Sequence, residues 1–160
     1  MQWRFLPNDD EDVELFIVRD IDSRITEREK VSVDEWVESE KILHIMRDHP
    51  HHGYHILGGM WGCRNGIMRE INLSNKIKEW NKFERKGIDQ DFLGREIYPL
   101  VVNRSFEHSE FNLKFRGEIK RFPSDRKNYE FVGDVFDEKN VRHPDYWKII
   151  YQYEMLNSKK

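Results

Sequence analysis

Val13-Glu14-Leu15-Phe16-Ile17-Val18-Arg19-Asp20-Ile21-Asp22-Ser23-Arg24 is the stretch on which the fold turns. Val13, Leu15, Phe16, Ile17 and Val18 form a short run rich in β-formers and bounded by charges, which predicts a short strand buried on both faces. The acidic segment 8–12 reads as a surface turn leading into it. Thr26 with Glu29 three positions on forms a capping box, and it opens a helix with Val33, Trp36 and Val37 on one face. Ile42 to Met46 is a second short apolar run. Strand, helix and strand in this order predict a right-handed βαβ unit in a largely parallel sheet, and so an α/β fold.

Outward from this unit the chain carries His49, His51, His52 and His55, then Ile56-Leu57-Gly58-Gly59-Met60-Trp61-Gly62. The glycines indicate a bend or a place where another group approaches the backbone closely. Residues 67–83 have helical periodicity, with Ile67, Ile71, Ile77 and Trp80 as buried positions. Gly87 ends that region, and Asp89-Gln90-Asp91-Phe92-Leu93 begins a short helix. Tyr98 to Val102 is expected as a strand, and 116–128 as a charged loop. Tyr146, Ile149, Ile150 and Tyr153 follow helical spacing after His143-Pro144 and predict an amphipathic C-terminal helix. Trp36, Trp80 and Trp147 lie on apolar faces and are expected in the core.

No repeat or low-complexity linker divides the 160 residues, which suit a single domain able to bury roughly two-thirds of its unfolded surface. Charged residues make up 36% of the chain, yet the net charge is only −3. That mixture excludes the basic excess of a dedicated nucleic-acid binder. No run approaches the ~20 apolar residues of a membrane span. Cys63 is the single cysteine, so an internal disulfide is ruled out and a reducing, cytoplasmic location is expected.

Asp20 and Asp22, just beyond a strand end, are the sharpest chemical feature. Ligands of open α/β sheets bind outside the carboxyl ends of the strands, and paired carboxylates suit a hard cation such as Mn²⁺ or Mg²⁺. The alternative is a solvated acidic turn. Haloacid-dehalogenase phosphatases need Thr or Val two positions after their second aspartate, where this chain has Arg24, so that class is excluded. A metal-dependent phosphohydrolase of another type remains a third option. The histidines at 49, 51, 52 and 55, with Asp48, admit a zinc site, but adjacent loop histidines rarely meet tetrahedral geometry. A substrate-facing loop with Asp48 and His49 nearest the site is preferred.

Phe16 to Arg24, His44-Ile45-Met46-Arg47-Asp48-His49-Pro50 and Ile56 to Gly62 occur in order. Asp89 to Leu93, Phe106-Glu107-His108-Ser109, Phe122 to Arg126 and Phe131-Val132-Gly133 follow them. Together they resemble GT-A-fold nucleotide-diphospho-sugar transferases over roughly Trp3 to Trp147. The resemblance implies a partial GT-A-like, three-layer fold with a mostly parallel mixed sheet. It implies one incomplete domain over 1–160, with the nucleotide-binding first half missing from the chain. The implied activity is metal-dependent transfer of a sugar from a nucleotide-diphosphate donor to a hydroxyl acceptor. A non-catalytic remnant that binds a glycan or pairs with a transferase is the alternative. By the same resemblance Asp20, Asp22 and His108 hold the metal and Asp89 meets the reacting sugars as orienting group or base. Gly58 and Gly59 pass under the sugar. Arg24, Asp48, His49 and Gln90 face substrate, Arg126 and Arg121 are candidates for the diphosphate, and Trp61 for stacking on a sugar ring. A strand lacking its neighbours would expose a sheet edge and invite a partner chain or self-association.

Overall fold

The computed structural model describes residues 3–64, 73–80 and 87–157. Among these residues five strands form one mixed sheet: β1 (Leu15–Arg19), β2 (Leu43–Arg47), β3 (Met60–Arg64), β4 (Ser105–Ser109) and β5 (Glu118–Lys120). Their spatial order is β1-β3-β2-β4-β5. β3 runs antiparallel to both β1 and β2, whereas the β2–β4 and β4–β5 pairings are parallel. The expected βαβ unit is therefore modified: α1 (Glu27–Glu38) links two strands of the same direction, but β3 is inserted between them. The sheet is α/β in class, with as many antiparallel pairings as parallel ones.

β1 corrects the first expectation. It is one of the two edge strands of the sheet and is only half-buried: Phe16 and Val18 point into the core while Ile17 is 40% exposed. The strand spans Leu15–Arg19 and so takes in the arginine expected to bound it, and an edge strand alternates where a central one does not. α1 begins as predicted, with the Glu29 N–H donating to Thr26 Oγ1 (3.2 Å). Its buried face is Arg28, Glu29, Ser32 and Trp36, and Val37 is 40% exposed. Apolar periodicity pointed elsewhere because three of those four buried side chains are polar.

One side of the sheet packs Phe5, Phe16, Val18, Leu43, Ile45, Trp61 and Cys63 against Phe92, Leu93, Ile97 and Tyr98. These last lie on a helical run: α3 (Ile88–Phe92), a π-helical turn (Leu93–Ile97), α4 (Tyr98–Val101) and a 3-10 turn (Val102–Arg104). α2 (Leu73–Trp80) lies beside it, with Ile77 and Trp80 partly buried against the core. Ile67 and Ile71 lie outside the described residues. Tyr98 to Val102 is thus helical rather than a strand. Pro99 falls at the start of α4, where its missing N–H is tolerated, and the wider π turn precedes it. On the opposite side Trp36 stacks on His44 (5.3 Å, 13° between planes), and Met46, Met60, Phe122 and Val132 form a smaller cluster. β5 falls inside the segment expected as a charged loop. α5 (Pro144–Asn157) forms where predicted, but only Ile150 is fully buried, and Tyr146 and Tyr153 are 37% and 46% exposed. Trp36 is fully buried, whereas Trp80 and Trp147 are only partly so.

Two buried charge networks fasten these layers. Arg47 and Glu107, both fully buried, pair at 2.7 Å across β2 and β4. The second oxygen of Glu107 accepts from Tyr98 (3.0 Å) and Ser105 (2.9 Å), and the Arg47 guanidinium lies 3.7 Å from the centroid of Phe115. Asp48, at the end of β2, accepts from Arg28 Nε (2.8 Å) and Nη2 (3.0 Å), Arg126 Nη2 (2.7 Å) and the Val132 N–H (3.0 Å).

Asp48→Ala is expected to lower stability by about 3–5 kcal/mol, because it strands two buried guanidinium groups. Thr26→Ala should cost only about 1 kcal/mol as a lost helix cap. Urea unfolding of the two variants beside the parent checks both values; equal, small effects would contradict the role given to Asp48.

Candidate functional site

β1, β2 and β4 share one direction, so Asp20, Asp48 and Glu110 follow their carboxyl ends along a single rim of the sheet. After β1 the chain turns sharply. The Ser23 N–H and hydroxyl both donate to the Asp20 carbonyl (3.1 and 2.7 Å). The Phe136 N–H donates to the Asp22 carbonyl (2.8 Å), which pins the turn to the segment beside it. Asp20 is thereby presented at the mouth of a cleft of ≈ 200 Å³ lined by Arg4, Ser23, His52, Gly58, Gly59, Asp89 and Gln90 among others.

Arg4 lies in the 3-10 helix Trp3–Asp9 and reaches across this cleft. Its Nη2 is 3.2 Å from Asp20 Oδ1 and its Nη1 is 3.2 Å from Asp89 Oδ2. Asp89 is 8% exposed, whereas the Asp20 side chain is 54% exposed. The two glycines set how closely these groups meet the chain. A Cβ on Gly58 would fall 2.6 Å from Arg4 Nη1 and 2.7 Å from Asp89 Oδ2, and one on Gly59 would fall 2.2 Å from Asp20 Oδ2. Any larger residue at either position moves the carboxylate it abuts. Gln90 adds a buried side-chain oxygen with no hydrogen-bond partner among the described residues.

Neutral histidines form part of the surround. The Asp48 N–H donates to His52 Nδ1 (3.0 Å) and the His51 N–H to His49 Nδ1 (3.0 Å), while His49 Nε2 donates to the Tyr146 carbonyl (3.1 Å). Burial pushes the His52 imidazole down to about 3 and also lowers that of His49. Both ring nitrogens of His49 are engaged, which removes it from a zinc site.

Of the residues singled out in the sequence, Asp20, Gly58, Gly59, Asp89 and Gln90 converge on the cleft. Several others do not. His108 is fully buried in β4, with Nδ1 2.8 Å from His44 Nε2 and Nε2 2.8 Å from Glu35 Oε2, so it cannot join Asp20 at a metal. The Trp61 ring is fully buried beside Phe5 (5.8 Å) and Phe16 (5.4 Å) and belongs to the core, so it offers no stacking platform. Asp48, His49 and Arg126 are structural, Arg126 also pairing with Glu154 (3.2 Å). Arg24 turns to Asn140 (2.8 Å), and Arg121 pairs with Glu110 (2.5 Å). Asp22 is exposed on the same turn as Asp20 but does not line the cleft.

Asp20 and Asp22 are solvent-accessible carboxylates on one turn, ligand types that a hard divalent cation takes, but only Asp20 lines the cleft, and it is paired there with Arg4. Among the described residues no group of three or more His, Cys, Asp or Glu is arranged to hold a metal by itself. Arg4 was missed in the sequence because a lone arginine in Trp3-Arg4-Phe5 carries no pattern. No family model, curated protein or solved structure matches the chain.

His52 gives a pH prediction. Its native imidazole stays neutral down to about 3, whereas in the unfolded chain it takes up a proton below about 6.5. The unfolded state therefore binds more protons in this window, and stability falls as pH drops from about 6.5 towards 3. His52→Asn, which keeps an acceptor for the Asp48 N–H, should make the slope shallower in denaturant titrations across that range; an unchanged slope would refute the assignment. Gly58→Ala is expected to cost about 1–3 kcal/mol through overpacking, and Gly59→Ala less because the exposed Asp20 can swing away.

Proposed function

We propose that the cleft is the sugar site of a glycosyl-transfer reaction from a nucleotide-diphosphate donor to a hydroxyl acceptor. The observation that carries this reading is the convergence of Asp20, Gly58-Gly59 and Asp89-Gln90, three motifs distant in sequence, on one polar cleft at a sheet rim. Two carboxylates and a buried amide oxygen that has no hydrogen-bond partner among the described residues suit a ring rich in hydroxyl donors. Such a ring would give Gln90 the donor it lacks among the described residues.

In the transfer itself the acceptor O–H donates to the Asp89 carboxylate, which takes the proton as the acceptor oxygen bonds to the anomeric carbon. The bond from that carbon to the diphosphate breaks, and the diphosphate leaves with the electron pair. Asp89 is suited to this by position: Arg4 fixes one oxygen, and Gly58 lets the carboxylate lie close against the chain. Asp20 and Asp22 would hold Mn²⁺ or Mg²⁺, whose charge neutralises the leaving diphosphate when bound.

A second reading, glycan binding without turnover in partnership with another chain, is favoured by the sheet edge. β1 is an edge strand, with Ile17 40% exposed, and Ile21 and Ile25 beyond it are 99% and 78% exposed. Among the described residues no helix is long and apolar enough to cross a membrane, so a bilayer-spanning helix does not account for these side chains.

The test is calorimetric titration with a panel of nucleotide-sugars in the presence of Mn²⁺, followed by an assay for sugar transfer to hydroxyl acceptors. Binding and transfer are expected, with Asp89→Asn retaining donor binding and losing transfer by roughly 10²–10⁴-fold, the range of general base catalysis. Glycan binding with no transfer under any donor would favour the second reading. Absence of binding to any sugar or nucleotide-sugar would end both.

A further inference from the structure

His52 brings one defined polar atom to the cleft. Its ring is half-buried and lines the cleft together with Gly58, Asp89 and Gln90. The Asp48 N–H donates to Nδ1 (3.0 Å), so that nitrogen carries no proton and the neutral imidazole holds its hydrogen on Nε2. The backbone making this bond is anchored, because the Asp48 side chain is fully buried and paired with Arg28 and Arg126. Burial keeps the ring neutral down to about 3. Among the described residues Nε2 has no hydrogen-bond partner, so the ring is a donor of fixed tautomer.

Other polar atoms of the cleft complement it. Gln90 Oε1 is a buried acceptor with no hydrogen-bond partner among the described residues. Neighbouring hydroxyls of one ring can accept from His52 and donate to Gln90, since each hydroxyl does both. Charge sets a second limit. Of the lining residues Arg4, Asp20 and Asp89 are ionised, one guanidinium against two carboxylates, for a formal charge of −1. The guanidinium is engaged by both carboxylates at 3.2 Å each, so the lining offers an anion no cation that is not already paired. We infer that the cleft selects a sugar ring without negative charge and orients it through the His52 Nε2–H. This rests on the reading of the cleft as a sugar site and adds the substrate class: neutral or amine-bearing rings are taken and uronic acids rejected. By the same charge, the diphosphate of a donor lies outside the cleft.

The test is saturation-transfer NMR on the full chain, in EDTA so that only the chain's own charges act. Methyl glycosides of glucose, mannose and galactose are each titrated beside the matching uronate, which differs only at C6. The uronate is expected to bind about 3- to 100-fold more weakly, the range for one like charge about 6 Å away at an effective dielectric constant of about 80 to 20. A uronate bound as tightly as its neutral partner, or more tightly, would overturn the charge selection and leave the sugar reading standing. Binding of no ring at all would remove the reading and the inference together. Two variants read His52. His52→Asn keeps an acceptor for the Asp48 N–H but is too short to place a donor where Nε2 lies, and should lose about 2- to 12-fold in affinity, the range for one neutral hydrogen bond. His52→Gln can place its amide N–H there and should retain more of the affinity. Parental affinity in His52→Asn, or equal losses in the two variants, would overturn the role of His52. A long-range ¹H–¹⁵N spectrum of the parent needs no variant: it should show the Nε2–H tautomer, with that nitrogen shifting as sugar is added. An Nδ1–H tautomer, or an unmoved Nε2 signal in the presence of bound sugar, contradicts the assignment.

Discussion

A carboxylate with no exposure to water sets the frame for everything at the rim of this sheet. Asp48 is 0% exposed, and burying an ionised group is tolerable only where charge and hydrogen bonds surround it. Here Arg28 brings α1, Arg126 brings the segment after β5, and the Val132 N–H brings the chain beyond that. Arg126 then reaches Glu154 on α5. The guanidinium of Arg28 also lies 4.4 Å from the centroid of Phe122, so the same network supports the apolar cluster beneath it. Three parts of the chain are positioned by their need to satisfy one charge, and α5 joins them through Arg126.

The path from this frame to the cleft runs through the chain after β2. Arg47, committed to Glu107 on the sheet, donates to the carbonyls of Tyr54 (2.8 Å) and His55. The Asp48 N–H meets His52, and the His51 N–H meets His49. The loop rich in histidine is thus folded down on backbone and buried arginine, with its rings used as neutral acceptors. Its rigid exit delivers Gly58-Gly59 to the place where Asp20 and Asp89 need a chain without side chains.

The sequence disclosed what local chemistry determines. The N-cap at Thr26, the strand before Asp20 and the close approach at the glycine pair each carry their meaning within a few residues and are in place, although the Glu29 carboxylate turns to Arg19 instead of closing the capping box. β4 was not legible as a strand, since Ser-Phe-Glu-His-Ser looks half-polar. It is wholly buried only because Arg47, sixty positions earlier, neutralises Glu107 while His44 and Glu35 engage His108. The same long-range pairing explains the misplaced site residues. His108, Asp48 and Arg126 are of types that bind metals and phosphates, and nothing within their own segments reveals that partners elsewhere already occupy them. Arg4 is the converse: its value comes from Asp20 and Asp89, and its own surroundings in sequence are silent.

The three acidic residues that follow the parallel strands make the distinction between frame and site in graded form. Asp48, behind a central strand, is completely buried and held by two arginines. Glu110, behind β4, is 23% exposed and shared between Arg28 and Arg121. Asp20, behind the edge strand, is 54% exposed and engaged by Arg4 through one oxygen. All three occupy equivalent places relative to their strands, so position in the sheet rather than residue type separates them. A central carboxylate must be saturated by protein groups before the chain can fold, which leaves it nothing to offer a ligand. At the edge, water can solvate whatever the protein leaves unsatisfied, and an incompletely paired carboxylate is stable there. Of the three, the edge aspartate is the most open to water, and its partial solvation lets it change partners without unfolding the structure behind it.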